Sequence, residues 1–101
     1  MLEFSITTTV AADHPCLAGH FPGRPVVPAV LLLELVGAAL RERLGPLRIS
    51  GAPAAKFLLP VLPDQPFDLR LSADPARGRA SFRCESGGRL AAQGELSFDR
   101  L

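Results

Sequence analysis

Residues 29–44 read Ala-Val-Leu-Leu-Leu-Glu-Leu-Val-Gly-Ala-Ala-Leu-Arg-Glu-Arg-Leu, and no other stretch so narrows what this chain can become. These are good helix formers. Pro28 suits a first turn and Gly45-Pro46 a stop, and Arg41 and Arg43 in the last turn complement the helix dipole. Up to Leu40 the helix is apolar nearly all round. A helix of that kind is wrapped by other structure, not laid on a surface.

The rest of the chain supplies the wrapping. Leu2, Phe4, Ile6, Thr8 and Val10 alternate, which predicts a strand over 2–10. Residues 11–25 hold Pro15, Gly19, Pro22, Gly23 and Pro25, and form a loop. An apolar stretch runs from Leu47 to Leu59 and ends at Pro60. Phe67, Leu69 and Leu71 alternate, as do Ala80, Phe82 and Cys84. Leu90, Ala92, Leu96 and Phe98 keep the same period through Gly94. The breaks are Pro63-Asp64-Gln65-Pro66, Asp74-Pro75 and the hairpin signal Gly87-Gly88. The expected architecture is α+β, one long central helix wrapped by a curved antiparallel sheet of about five strands, as a single domain over 1–101. Such a sheet has an open edge, which invites pairing with a second copy.

Composition removes several function classes. Lys plus Arg number 11 against 10 Asp plus Glu, a net charge of +1, and there is no Trp or Tyr. Neither a basic field nor stacking platforms argue for nucleic acid. Cys16 and Cys84 form no pair with metal or redox spacing. Met1–Ser5 lacks the charge and apolar run of a signal segment and reads as mature chain. The run Val26–Leu40, broken by Pro28 and Glu34, is too short to span a bilayer. A cytoplasmic protein without metal is expected.

Three features could carry chemistry. Glu34 lies among Val30, Leu31, Leu33, Leu35 and Val36, with small Gly37 and Ala38 one turn on. A carboxyl buried there is costly unless paired, hydrogen-bonded or neutral, which suggests an acid with a raised pKa facing a pocket. The plain alternative is a surface glutamate on a thin polar stripe. His20 sits in Gly19-His20-Phe21-Pro22-Gly23-Arg24-Pro25, a loop restricted enough to hold an imidazole in place as a base. Pro28 has no N–H, so the first free amides of the helix belong to Ala29 and Val30, a donor site for a developing oxyanion. Loss of water from a 3-hydroxyacyl thioester needs this set. His20 would take the α-proton, the amides would stabilise the enolate-like oxygen, and protonated Glu34 would assist the departing hydroxyl.

The run from Gly19 through Glu34 closely resembles the signature of the hotdog-fold 3-hydroxyacyl-acyl-carrier-protein dehydratases of type II fatty acid synthesis. That signature is a His in Gly-His-Phe-Pro-Gly, a Pro at the helix start, and an acid fourteen residues after the His, as from His20 to Glu34. Asp13-His14-Pro15 is similar to the family's lead-in. Lys56-Phe57-Leu58-Leu59-Pro60-Val61-Leu62-Pro63 resembles its Phe-x-x-Pro-Val-x-Pro strand ending. The resemblance implies a hotdog fold joined edge to edge into a homodimer or an oligomer of dimers, a heterodimer also being open. It implies a site shared between subunits, with His20 of one and Glu34 of the other. Val26 would supply the carbonyl that steadies the His20 ring, and Ala29 the amide that meets the thioester carbonyl. Phe21, Gly23, Arg24 and Val30 would line the substrate, Arg24 toward a pantetheine phosphate. The substrate would be a (3R)-hydroxyacyl chain on acyl carrier protein, and no cofactor is implied.

Ala29 stands where the family usually has Gly, so a methyl meets the approaching thioester. The short chain looks more like the compact dehydratases of aryl-polyene and related pigment pathways. Arg41, Arg43, Arg48 and Lys56 are candidates for a cationic face toward an acidic carrier, a solvated face being as good a reading. His14 reads as a loop residue and Cys84 as core. Two other functions use the same pocket. One is a hotdog thioesterase, which needs an acid that activates water. The other is a non-catalytic partner subunit of a dehydratase heterodimer, which Ala29 favours and the presence of both His20 and Glu34 opposes. The pattern of the coenzyme A ester hydratases, an Asp and a His five residues apart, is not found.

Overall fold

The computed structural model describes residues 1–17 and 26–101, the Cys16 side chain excepted. Strand β1 spans Leu2–Thr8, helix α1 Ala29–Leu44, β2 Leu47–Phe57, β3 Phe67–Asp74, β4 Arg79–Ser86 and β5 Arg89–Arg100. The strands form one antiparallel sheet in the order β1-β3-β4-β5-β2. Helix α1 packs on its inner face, which is the hotdog arrangement expected from the pattern.

The helix boundaries follow the sequence. Pro28 is extended (φ −62°, ψ 147°) and stands just before the first turn, and Gly45 ends the helix at φ 86°, its N–H donating to the Arg41 carbonyl. The guanidinium of Arg100 donates to the Leu44 carbonyl at 2.6 Å, satisfying one of the last orphan acceptors. The core lies between sheet and helix. Val36 and Leu40 of α1 meet Phe67, Leu69, Phe82, Cys84 and Leu96 of the inner strand faces, all 2% exposed or less.

Two expectations need correction. Helix α1 is not wrapped all round. Leu31, Leu32, Val36, Gly37, Ala39 and Leu40 are buried, but Val30, Glu34, Ala38 and Arg41 are exposed. Their spacing of four, four and three residues makes one continuous face. A five-stranded sheet covers one side of a helix, so an apolar helix still keeps an open side in a single chain. The second correction concerns β5, whose period-2 pattern is interrupted. Cys84 pairs with Ala92 and Glu85 with Leu90, so Ala91 is an extra bulged residue, and Ala91 and Ala92 are both buried. Freed from the ladder, the Ala91 carbonyl accepts the N–H groups of Leu58 (2.7 Å) and Leu59 (3.1 Å).

Edge strand β2 is irregular. Its register against β5 shifts between Ile49 and Gly51 and again between Gly51 and Ala54, then runs regularly from Ala54 to Phe57. No helix of the described residues is long and apolar enough to cross a membrane.

Candidate active site

The open face of α1 brings three of the sequence candidates together. Ala29 and Val30 begin the helix, and no side chain caps it. The Pro28 carbonyl accepts from Leu31 (3.0 Å) and Leu32 (3.2 Å). The Ala29 and Val30 amides have no acceptor among the described residues, as expected for the first turn. Glu34 lies one turn beyond Val30 on the same face, about 7 Å along the axis from Ala29. It is exposed in the single chain, not buried as the sequence suggested, because none of the described residues covers the helix face that bears it. Its immediate neighbours on that face, Val30 and Ala38, are apolar, and Arg41 follows two turns on. Among the described residues Glu34 makes no hydrogen bond or ion pair. The result is a helix start with free N–H donors beside a free carboxyl group.

Val26 is half-buried just before the helix, and the next residue is anchored: the Val27 N–H donates to the Val61 carbonyl at 2.8 Å. His20, Phe21, Gly23 and Arg24 lie outside the described residues. Earlier in the chain the Asp64 carboxylate accepts the Ala12 N–H at 3.1 Å, and the Asp64 N–H donates to the Val10 carbonyl at 2.7 Å. Sequence reasoning missed Val61 and Asp64. The signal was present in Val61-Leu62-Pro63-Asp64, read only as a strand ending and a break.

Large apolar side chains gather beside the helix start. Val30 is 63% exposed, and Phe57, Leu58, Leu59 and Leu62 at the end of β2 and just after it are between 38% and 53% exposed. The Val27–Val61 hydrogen bond places the two groups side by side. Concavities lined by described residues on the outer sheet face, around Arg70, Arg83, Ser72 and Ser81, lie apart from this surface.

The cationic face suggested for Arg41, Arg43, Arg48 and Lys56 does not form as one surface. Arg41 donates to the Leu47 carbonyl at 3.1 Å, Arg43 lies over the Phe4 ring at 4.5 Å, and Arg48 pairs with Asp99 at 3.2 Å. These three each have a local partner, and Lys56 is exposed on edge strand β2. Cys84 is core, as expected. Burial, with Asp68 and Glu85 nearby, pushes its thiol up to about 11, so it stays a neutral thiol at physiological pH. Among the described residues no group of His, Cys, Asp and Glu is placed to hold a metal ion.

Comparison with known proteins agrees with this geometry. The model of the ApeI-like family, described as ApeI dehydratase, matches residues 2–95. The 3-hydroxyacyl-[acyl-carrier-protein] dehydratase FabZ of Chlamydia trachomatis serovar L2 is 36% identical over 102 residues, covering 88% of this chain and 67% of the relative. The FabZ of Herpetosiphon aurantiacus is 34% identical over 100 residues, covering 88% and 71%. The dehydratase heterocomplex ApeI:P from Xenorhabdus doucetiae superposes with a TM-score of 0.88 at 25% identity, over 97% of this chain and 88% of that one.

Proposed function

The chain belongs to the ApeI-like dehydratase family, and from that premise we propose that it is a hydro-lyase removing water from a (3R)-hydroxyacyl thioester on acyl carrier protein. The product is the trans-2-enoyl thioester. The observation that carries this reading is the free carboxyl of Glu34 on the open helix face, one turn from the uncapped amides of Ala29 and Val30. His20 removes the α-proton. Negative charge develops on the thioester oxygen, which accepts a hydrogen bond from the Ala29 N–H at the positive end of the helix. The bond from carbon to the β-hydroxyl breaks as Glu34 gives its proton to the leaving oxygen. The carbon–carbon double bond forms, water departs, and His20 returns a proton to Glu34 through solvent.

The working unit is a dimer. The regular stretch Ala54–Phe57, between Pro53 and Pro60, is a sheet edge with no neighbouring strand among the described residues, open to antiparallel pairing with a second chain. Pairing there covers the exposed Phe57, Leu58, Leu59, Leu62 and Val30. It also closes the open face of α1, so that Glu34 of one subunit meets His20 of the other. The Val26 carbonyl steadies the His20 ring, Phe21, Gly23 and Val30 line the substrate, and Arg24 faces the pantetheine phosphate. We place the enzyme, like its carrier-bound substrate, in the cytoplasm, and read its role as chain elongation of the aryl-polyene type, which the resemblance to the compact dehydratases implies.

A second reading rests on Ala29. Its methyl stands at the thioester's approach, and a relative solved as a heterocomplex shares the fold. In this reading the chain pairs with a different hotdog subunit that carries the turnover. Intact mass spectrometry of a (3R)-hydroxyacyl-carrier protein incubated with the purified chain separates the readings. The dehydratase reading expects loss of one water. Release of the free acyl group supports a thioesterase, and unchanged substrate at several chain lengths supports the partner subunit.

A further inference from the structure

We propose that Arg41 is a specificity-determining residue that meets the far end of the acyl chain, so that the site favours a substrate whose distal end bears an oxygen acceptor over one that ends in a methyl group. This rests on the dehydratase reading, which sets the direction of the substrate along α1.

In that reading the thioester oxygen sits at the Ala29 N–H and the β-hydroxyl at Glu34. The acyl chain therefore leaves the reacting carbons toward the C-terminal end of the helix. Past Glu34 the exposed strip of α1 continues through Ala38 to Arg41, with Leu35 half-buried and Val36, Gly37, Ala39 and Leu40 buried beside it. Ala38 adds only a methyl group. The first side chain of any size that the growing chain meets on this strip is Arg41.

The Arg41 guanidinium is held in place. Its Nε donates to the Leu47 carbonyl at 3.1 Å. Side chains on a helix lean toward its start, and here the guanidinium lies back over Gly37: a methyl built on Gly37 would stand 3.3 Å from Nη1 of Arg41. Gly37 is three residues beyond Glu34, about 5 Å along the axis. An extended chain covers that distance in about four bonds, so the guanidinium stands beside the end of an acyl chain of about eight carbons. The terminal nitrogens of Arg41 make no hydrogen bond or ion pair among the described residues. In a single chain water satisfies them. Once a second chain closes this face, a guanidinium without an acceptor is costly. A distal oxygen on the substrate removes that cost. A carboxylate matches the fork of terminal N–H groups best, and a hydroxyl accepts a single bond. A methyl end leaves the donors unpaired.

The test measures kcat/KM of the purified chain for three (3R)-hydroxyacyl groups on carrier protein. One has eight carbons and ends in a carboxylate, one of the same length ends in a methyl group, and one has four carbons and falls short of Arg41. Wild type is expected to prefer the carboxylate-ended chain over the methyl-ended chain by about tenfold or more, as a hydrogen bond to a charged group allows. Arg41→Met, of similar length and without a donor, is expected to erase that preference, and Arg41→Lys to keep most of it. A structural role alone lowers both long substrates together and leaves their ratio unmoved. A wild-type chain without the preference, or an Arg41→Met chain that keeps it, overturns the proposal. Dissociation of Arg41→Met with the preference kept assigns the guanidinium to an acceptor on the partner chain instead. The four-carbon substrate separates the two levels of the argument. Its dehydration by wild type without any preference between the long chains overturns the role of Arg41 alone, whereas no loss of water from any of the three overturns the dehydratase reading and the role of Arg41 with it.

Discussion

Glu34→Gln and His20→Ala are each expected to lower kcat/KM for dehydration by about 10³-fold, within the range that proton transfer by a positioned side chain contributes. The melting temperature of Glu34→Gln should stay within a few degrees of wild type. Glu34 is exposed in the single chain and makes no hydrogen bond or ion pair among the described residues, so the fold has little to lose when it becomes an amide of the same shape. The amide cannot give up a proton to the leaving hydroxyl, whereas a carboxyl group can. The two losses should not add in the double variant, because base and acid serve one elimination. A Glu34→Gln chain that retains full turnover removes Glu34 from the mechanism. Steady-state kinetics with melting curves for all three variants reads both halves of this expectation.

The largest expected effect on stability belongs to Gly94→Ala. Gly94 pairs with Phe82 on β4 and with Ala55 on β2. An added methyl at Gly94 would lie 2.4 Å from the Ala54 carbonyl oxygen, 2.9 Å from Ala55 Cα and 3.0 Å from the Phe82 ring. Two of the three are backbone atoms, so no side-chain rotation relieves the contact, and β2 must move away from β5. A loss of about 3 kcal/mol is expected, which for a domain of this size corresponds to roughly 12–24 °C in Tm. Gly51→Ala is the control. Its methyl meets one side-chain atom and no backbone, the Ser97 hydroxyl at 3.2 Å, which bonds the Ser50 hydroxyl and the Gly51 carbonyl at an exposed edge, and should cost about 1 kcal/mol. Thermal melts of both variants decide the matter, and a Gly94→Ala chain as stable as wild type contradicts the described β2–β5 approach. Because β2 is also the proposed dimer edge, Gly94→Ala should weaken association as well.

The sequence and the structure agree where one signal had no rival. Helix α1 begins and ends at the residues flanked by Pro28 and Gly45-Pro46, and β3 and β4 alternate as their side chains do. The sequence misled where a pattern had two causes. Apolar residues on every side of α1 suggested burial on every side, yet Val30 and Ala38 face outward in the single chain. Their apolar character fits a surface that a second chain covers, and composition alone cannot tell a sheet from a partner. Alternation in β5 hid the bulge at Ala91, since alanine suits either face. The site was legible only through its motif. Spacing put Glu34 one turn beyond Val30, as the structure shows, but nothing local announced that the Asp64 carboxylate, thirty residues on, would accept the Ala12 N–H. That contact is long-range, and period and propensity report only near neighbours.

The central claim is a site shared by two chains, with His20 from one and Glu34 from the other. Mixing the inactive His20→Ala and Glu34→Gln chains after unfolding and joint refolding tests it most directly. With random pairing, half of the dimers carry one of each chain, and in each such dimer one of the two sites is intact. The account predicts recovery of about a quarter of wild-type activity. If both residues act within one chain, every site in the mixture keeps a defect and the mixture stays as inactive as its parts, which would contradict the account.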